Sequence, residues 1–185
     1  MMILISKGVP YNTGMEDSIF KVWHEGHIIS LTHNQKIIWT FLYGTIRTYK
    51  DLMKFMLKLF NNGTPMSKQT LTQTLTQLKS LGLISYLDSL DVKEGEFILL
   101  FKNKIKPLKD VGLEDNFQVE LFHFIKNNQD FSVADFISMI DNKHYEKLTN
   151  GFDEDYIKYM YTSIHSKITL ETVKKFLQNG VCYVA

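Results

Sequence analysis

The sequence predicts an α+β fold, mainly helical, on three observations. An alternating segment brackets Glu25-Gly26, apolar residues recur at helical spacing from Asn34 onward, and one helix-to-strand ending occurs twice. The first copy runs from Ser67-Lys68-Gln69-Thr70-Leu71 to Gly82-Leu83-Ile84-Ser85-Tyr86. The second runs from Ser166-Lys167-Ile168-Thr169-Leu170 to Gly180-Val181-Cys182-Tyr183-Val184. In each, a hydroxyl residue stands before a helical apolar pattern and a glycine stops the helix.

Taken in order, Ile19, Lys21 and Trp23 alternate up to the turn, and Ile28, Ser30 and Thr32 alternate after it, which predicts a two-stranded hairpin with Met2 to Ser6 as a third strand. Ile37, Ile38, Phe41 and Leu42 then share one side of a first helix ended by Gly44. Thr48 caps a second helix with Leu52, Phe55, Met56, Leu59 and Phe60 inward, and Asn61 to Pro65 breaks it. A third helix runs from about Lys68 to Ser80. Strands are expected at Ile84 to Leu87 and Glu96 to Phe101 around an acidic turn. Lys102 to Val111, with Pro107 inside, reads as a linker. Further helices are expected at Phe117 to Asn127, Val133 to Ile140, Glu154 to His165 and Leu170 to Gln178, before a last strand Val181 to Val184. The domains are therefore 1–102 and 115–185, with 103–114 between them. Thr48 to Met56 also reads like Ser132 to Ile140, which extends the repeat upstream.

A hydrophobic content of 44% in 185 residues is enough for a proper core. No apolar run reaches the roughly 20 residues of a membrane span, and the apolar start lacks the marks of a signal peptide. The lone Cys182 rules out an internal disulfide and agrees with a reducing, cytoplasmic setting. Residues 1–110 hold 14 Lys+Arg against 9 Asp+Glu, and residues 111–185 hold 7 against 11. A basic half suits a polyanion and an acidic half repels one, so only the first half is a nucleic-acid candidate.

The capped third helix leading into a paired ending resembles the last helix and wing of the winged helix-turn-helix superfamily. The resemblance implies an N-terminal hairpin plus winged helix, followed by a second, diverged winged-helix-like unit. It also implies that the third helix would read DNA, commonly within a dimer. More loosely, residues 14–87 resemble the leader-peptide-binding winged helices of pyrroloquinoline-quinone biosynthesis, through Ile29-Ser30-Leu31-Thr32, Ile38-Trp39, Gly44, Thr48, Leu52 and Leu78-Lys79-Ser80-Leu81-Gly82-Leu83-Ile84. That resemblance implies a peptide laid along the edge His27 to Leu31, near Lys68 and Thr72.

Leu71, Leu75 and Leu78 put Gln69, Thr72, Gln73, Thr76 and Gln77 on the opposite side of the third helix. Gln pairs with adenine edges and Thr contacts thymine methyls or phosphates, so the face suits a major groove, although it equally suits plain solvation. Lys68 opens that helix. Arg47, Lys50 and Lys54 offer phosphate contacts, continued by Lys58 and by Lys102, Lys104, Lys106 and Lys109, unless they are scattered surface cations. Asp88, Asp91, Glu94 and Glu96 would make the expected wing acidic, which argues against DNA and for a protein partner. His24, His27 and His33 lack the accompanying ligands of a metal site. Asp153-Glu154-Asp155 fits a helix start, and no nucleophile or phosphate-loop motif is present. Neither catalysis nor a cofactor is expected. Two functions lead: a DNA-binding transcriptional regulator whose second unit dimerises or senses an effector, and a non-catalytic peptide or protein adaptor. A third, a structural subunit of a chromosome-organising or replication complex, is selected by no residue here.

Overall fold

The computed structural model describes residues 1–11, 19–59, 66–108, 116–127 and 164–185. It is an α+β structure with six helices among the described residues, the remainder being small antiparallel sheets. The chain divides into two compact units, residues 1–92 together with 185, and residues 93–184. No described helix is long and apolar enough to cross a membrane.

The first unit contains β1 (Met2–Ser6), β2 (Val9–Tyr11), β3 (Lys21–His24), β4 (His27–Ser30), α1 (His33–Leu42), β5 (Arg47–Thr48), α2 (Tyr49–Leu59), α3 (Lys68–Ser80) and β6 (Ile84–Asp88). The hairpin forms as expected, with Trp23 opposite Ile28 and His24 opposite His27. Its third strand is β2, however, and not Met2 to Ser6. β1 instead lies at the centre of another sheet, in the order β5-β1-β6, with Met2 to Ser6 opposite Asp88 to Ile84. Its unbroken apolar run Met2 to Ile5 suits a strand buried on both faces, whereas an edge of the hairpin would call for alternation.

Hydroxyl residues start the three helices of this unit. Thr32 and Gln35 form a reciprocal capping box on α1, and Thr48 and Asp51 bond in the same way at the start of α2. Ser67 Oγ accepts the Thr70 N–H at 3.0 Å, which caps α3 where the sequence places it. Leu4, Ile38, Trp39, Leu52, Leu71 and Leu78 meet in one core. Trp39 Nε1 donates to the Lys7 carbonyl at 3.0 Å, so the indole is buried with its donor satisfied.

The second unit contains α4 (Val92–Lys102, its first residue belonging to the first unit), β7 (Ile105–Pro107), α5 (Asn116–Asn127), α6 (Ile164–Gln178) and β8 (Cys182–Val184). Here the expectation of a strand at Glu96 to Phe101 fails, because those residues are helical. Phe97, Leu99, Leu100 and Phe101 are all buried, so the helix is apolar on most sides and shows no period that separates it from a buried strand. Without that strand the expected wing hairpin does not form, and among the described residues β6 pairs with β1 alone. Ile105–Pro107, within the expected linker, pairs with Cys182–Val184. α6 starts at Ile164, so Ser166 lies inside the helix and does not cap it. The helices expected at Val133 to Ile140 and Glu154 to His165, together with the Asp153 cluster, lie outside the described residues, save that Ile164 and His165 begin α6.

Candidate nucleic-acid interface

α3 buries Leu71, Thr74, Leu75 and Leu78 and exposes Lys68, Gln69, Thr72, Gln73, Thr76 and Gln77. The apolar spacing of three and four residues dictates this division, since only one stripe of the helix can face the core. The Thr72 hydroxyl donates to the Lys68 carbonyl at 3.0 Å, and the Thr76 hydroxyl donates to the Thr72 carbonyl at 2.9 Å. Each threonine therefore offers a partner its methyl group and its oxygen lone pairs, while its proton stays within the helix.

Gln77 differs from its neighbours. Its Oε1 accepts a bond from Gln35 Nε2 at 3.2 Å, tying α3 to the first turn of α1. Gln35 is buried and already serves the α1 cap, so Gln77 is engaged within the fold on its acceptor side. Gln69 and Gln73 are exposed on the same helix.

On the other flank, α2 and α3 approach each other. Lys50, from the first turn of α2, lines one depression with Thr72 and Thr76 of α3. Lys54 stands one turn further along α2 and is exposed, as is Lys58. Arg47 is exposed on β5, its guanidinium 5.2 Å from the centre of the Phe41 ring, which stacks on Phe55 at 4.0 Å. Asp51 lies among these cations. The Thr48 hydroxyl bond holds its carboxyl below the ordinary value, against burial, with Lys54 and Arg47 contributing further.

Proximity of Tyr49 to this face was not legible from the sequence, because it depends on how α2 and α3 cross, whereas Lys79 follows Thr76 by three residues on the same helix and shares its side. Lys79 sits with its ammonium 3.4 Å from the centre of the Tyr86 ring. Of the acidic residues expected on a wing, Asp88 ends β6 and Asp91 follows it. Glu94 and Glu96 belong to α4, where Glu96 pairs with Lys174. Lys102, Lys104 and Lys106 also belong to the second unit.

The remaining candidates are quiet chemically. Burial pushes the Cys182 thiol up to about 12, so little thiolate exists near neutrality. His24 is buried opposite the exposed His27, and among the described residues no group of three metal-ligating side chains gathers. Comparison of the chain with protein-family models, with curated proteins and with solved structures finds no match.

Proposed function

We propose that the first unit is a winged-helix module that binds duplex DNA through α3, and that the protein is a transcriptional regulator whose second unit dimerises or senses an effector. The order α1-β5-α2-α3-β6 supports this, with β1 standing in for the strand that would normally return from a wing. The observation that carries the proposal is the placement of Lys50 beside Thr72 and Thr76, which sets a phosphate-binding cation at the flank of a polar helix face. Lys54 extends the cationic row, and Gln69 and Gln73 supply the base-edge chemistry.

The test is fluorescence anisotropy with a random-sequence duplex pool at about 50 and about 200 mM salt. Salt-sensitive binding is expected, with Lys50→Ala/Lys54→Ala lowering the salt slope by about 2 across all sequences. Gln69→Ala/Gln73→Ala should instead relax sequence preference. Absence of binding at the lower salt removes the proposal.

A second function, capture of an extended peptide, is favoured by one observation. β4 is an edge strand, and the Leu31 N–H donates inward to the Phe20 carbonyl. Alternation of the ladder then points the backbone groups of Ile28 and Ser30 outward, where another strand can add. Ser30→Pro deletes one outward donor and leaves the ladder whole. A peptide-array signal that survives this substitution excludes the edge as the docking line.

A further inference from the structure

We propose that the depression between α2, α3 and the start of β1 binds a small amphipathic anion, a carboxylate carried on an aliphatic or short aromatic body. Its volume is about 420 Å³, within the range of small-molecule sites. Met1, Met2, Leu75 and the Tyr49 ring form its apolar lining, and no acidic residue takes part. Methionine side chains adapt to irregular ligands, so such a lining selects for apolar bulk more than for one shape.

The charge of the rim chooses the ligand class. Lys50 and Lys79 both line the depression. Among the described residues Lys50 is exposed and meets no carboxylate, while Lys79 lies against the Tyr86 ring, which orients its ammonium without neutralising it. Two uncompensated cations over an apolar lining match one anionic head and one apolar tail, because burying the tail and pairing the head are both favourable only in that orientation. A free phosphate would leave the lining wet, and a neutral lipid would leave the lysines unanswered.

This proposal does not depend on DNA binding, since it is measured on the protein alone. Where both hold, the ligand occupies Lys50, Thr72 and Thr76, and so competes directly with the duplex.

The experiment titrates the full chain calorimetrically with octanoate, with octanol as its neutral counterpart and with inorganic phosphate. Saturable octanoate binding is expected at about tenfold or more higher affinity than octanol, with phosphate inert. Lys50→Gln/Lys79→Gln should erase the preference for octanoate over octanol. Thr76→Phe should fill the depression and abolish binding of both, with far-UV circular dichroism confirming that the helices persist. The proposal is overturned by absence of saturation, by equal affinity of the wild type for octanol and octanoate, by binding of phosphate alone, by an octanoate preference that survives Lys50→Gln/Lys79→Gln, or by octanoate binding that survives Thr76→Phe. Self-association of the chain that Thr76→Phe abolishes, without octanoate binding, would overturn it in favour of a second copy as the occupant.

Discussion

At the end of α3 the Gly82 N–H donates to the Lys79 carbonyl and the Leu83 N–H to the Leu78 carbonyl. At the end of α6 Gly180 and Val181 repeat both bonds with Leu177 and Phe176. Both glycines have positive φ, +71° and +62°, which with those paired backbone bonds makes each ending a Schellman motif. The strands that follow also find comparable partners. β6 pairs with β1, which precedes the helices of its unit, and β8 pairs with β7, which precedes α5 and α6. The two endings differ in what surrounds them: β1 makes five pairs with β6 and also binds β5, whereas β7 and β8 make three pairs as a two-stranded ribbon. The stop signal is local chemistry and repeats faithfully. The sheet around it is long-range and differs between the two.

The largest expected effect tests that asymmetry. Leu4 of β1 and Ile105 of β7 are both fully buried. Leu4→Ala should cost about 3 kcal/mol and Ile105→Ala about 2, because the three-stranded setting collapses less readily around the lost atoms. Both tryptophans, Trp23 and Trp39, belong to the first unit, so urea unfolding followed by their fluorescence reports Leu4→Ala, and far-UV circular dichroism reports both. An Ile105 variant hurt as much as the Leu4 variant breaks the comparison.

Next come the two glycines. An added Cβ at Gly82 meets His24 Nε2 at 3.2 Å, and one at Gly180 meets nothing within 4 Å. Gly180→Ala should therefore show the left-handed backbone cost alone, about 1 kcal/mol, and Gly82→Ala about 2. Equal losses would mean that His24 moves aside freely.

The Glu96 to Phe101 helix shows why much of the rest was hidden. A segment buried on most sides has no polar face to reveal its period, so Phe97 through Phe101 look the same as a core strand. Met2 to Ser6 was recognisable as a strand, but its neighbours were not, since pairing with Ile84 to Asp88 is a fact about distant residues. The α3 face was readable because leucine spacing alone sets it. The bond between Gln35 and Gln77 was not, because it depends on how α1 packs on α3.

The smallest effect concerns His24, which packs on the glycine turn of the first unit only. Burial lowers its pKa, Lys7 adds to the depression, and Glu25 opposes it. The unfolded chain then binds more protons than the folded one between the depressed value and about 6.5, so stability is full above that window and falls as the pH drops through it. Thermal melts of the wild type between neutral and mildly acidic pH should show this slope, and His24→Gln should flatten it. An unchanged slope in the variant would assign the pH dependence to another group.

The central place of β1 carries a consequence for how the chain matures. Met2 and Asp88 are partners across most of the first unit's length, so β1, made well before β6, waits for one of the unit's last segments before that ladder can close. Until then β1 has only its short pairing of Ile3 and Leu4 with β5 to close, and its β6 edge is open. Closing such a distant contact is slow, which leaves an apolar strand edge open to misassembly in the meantime.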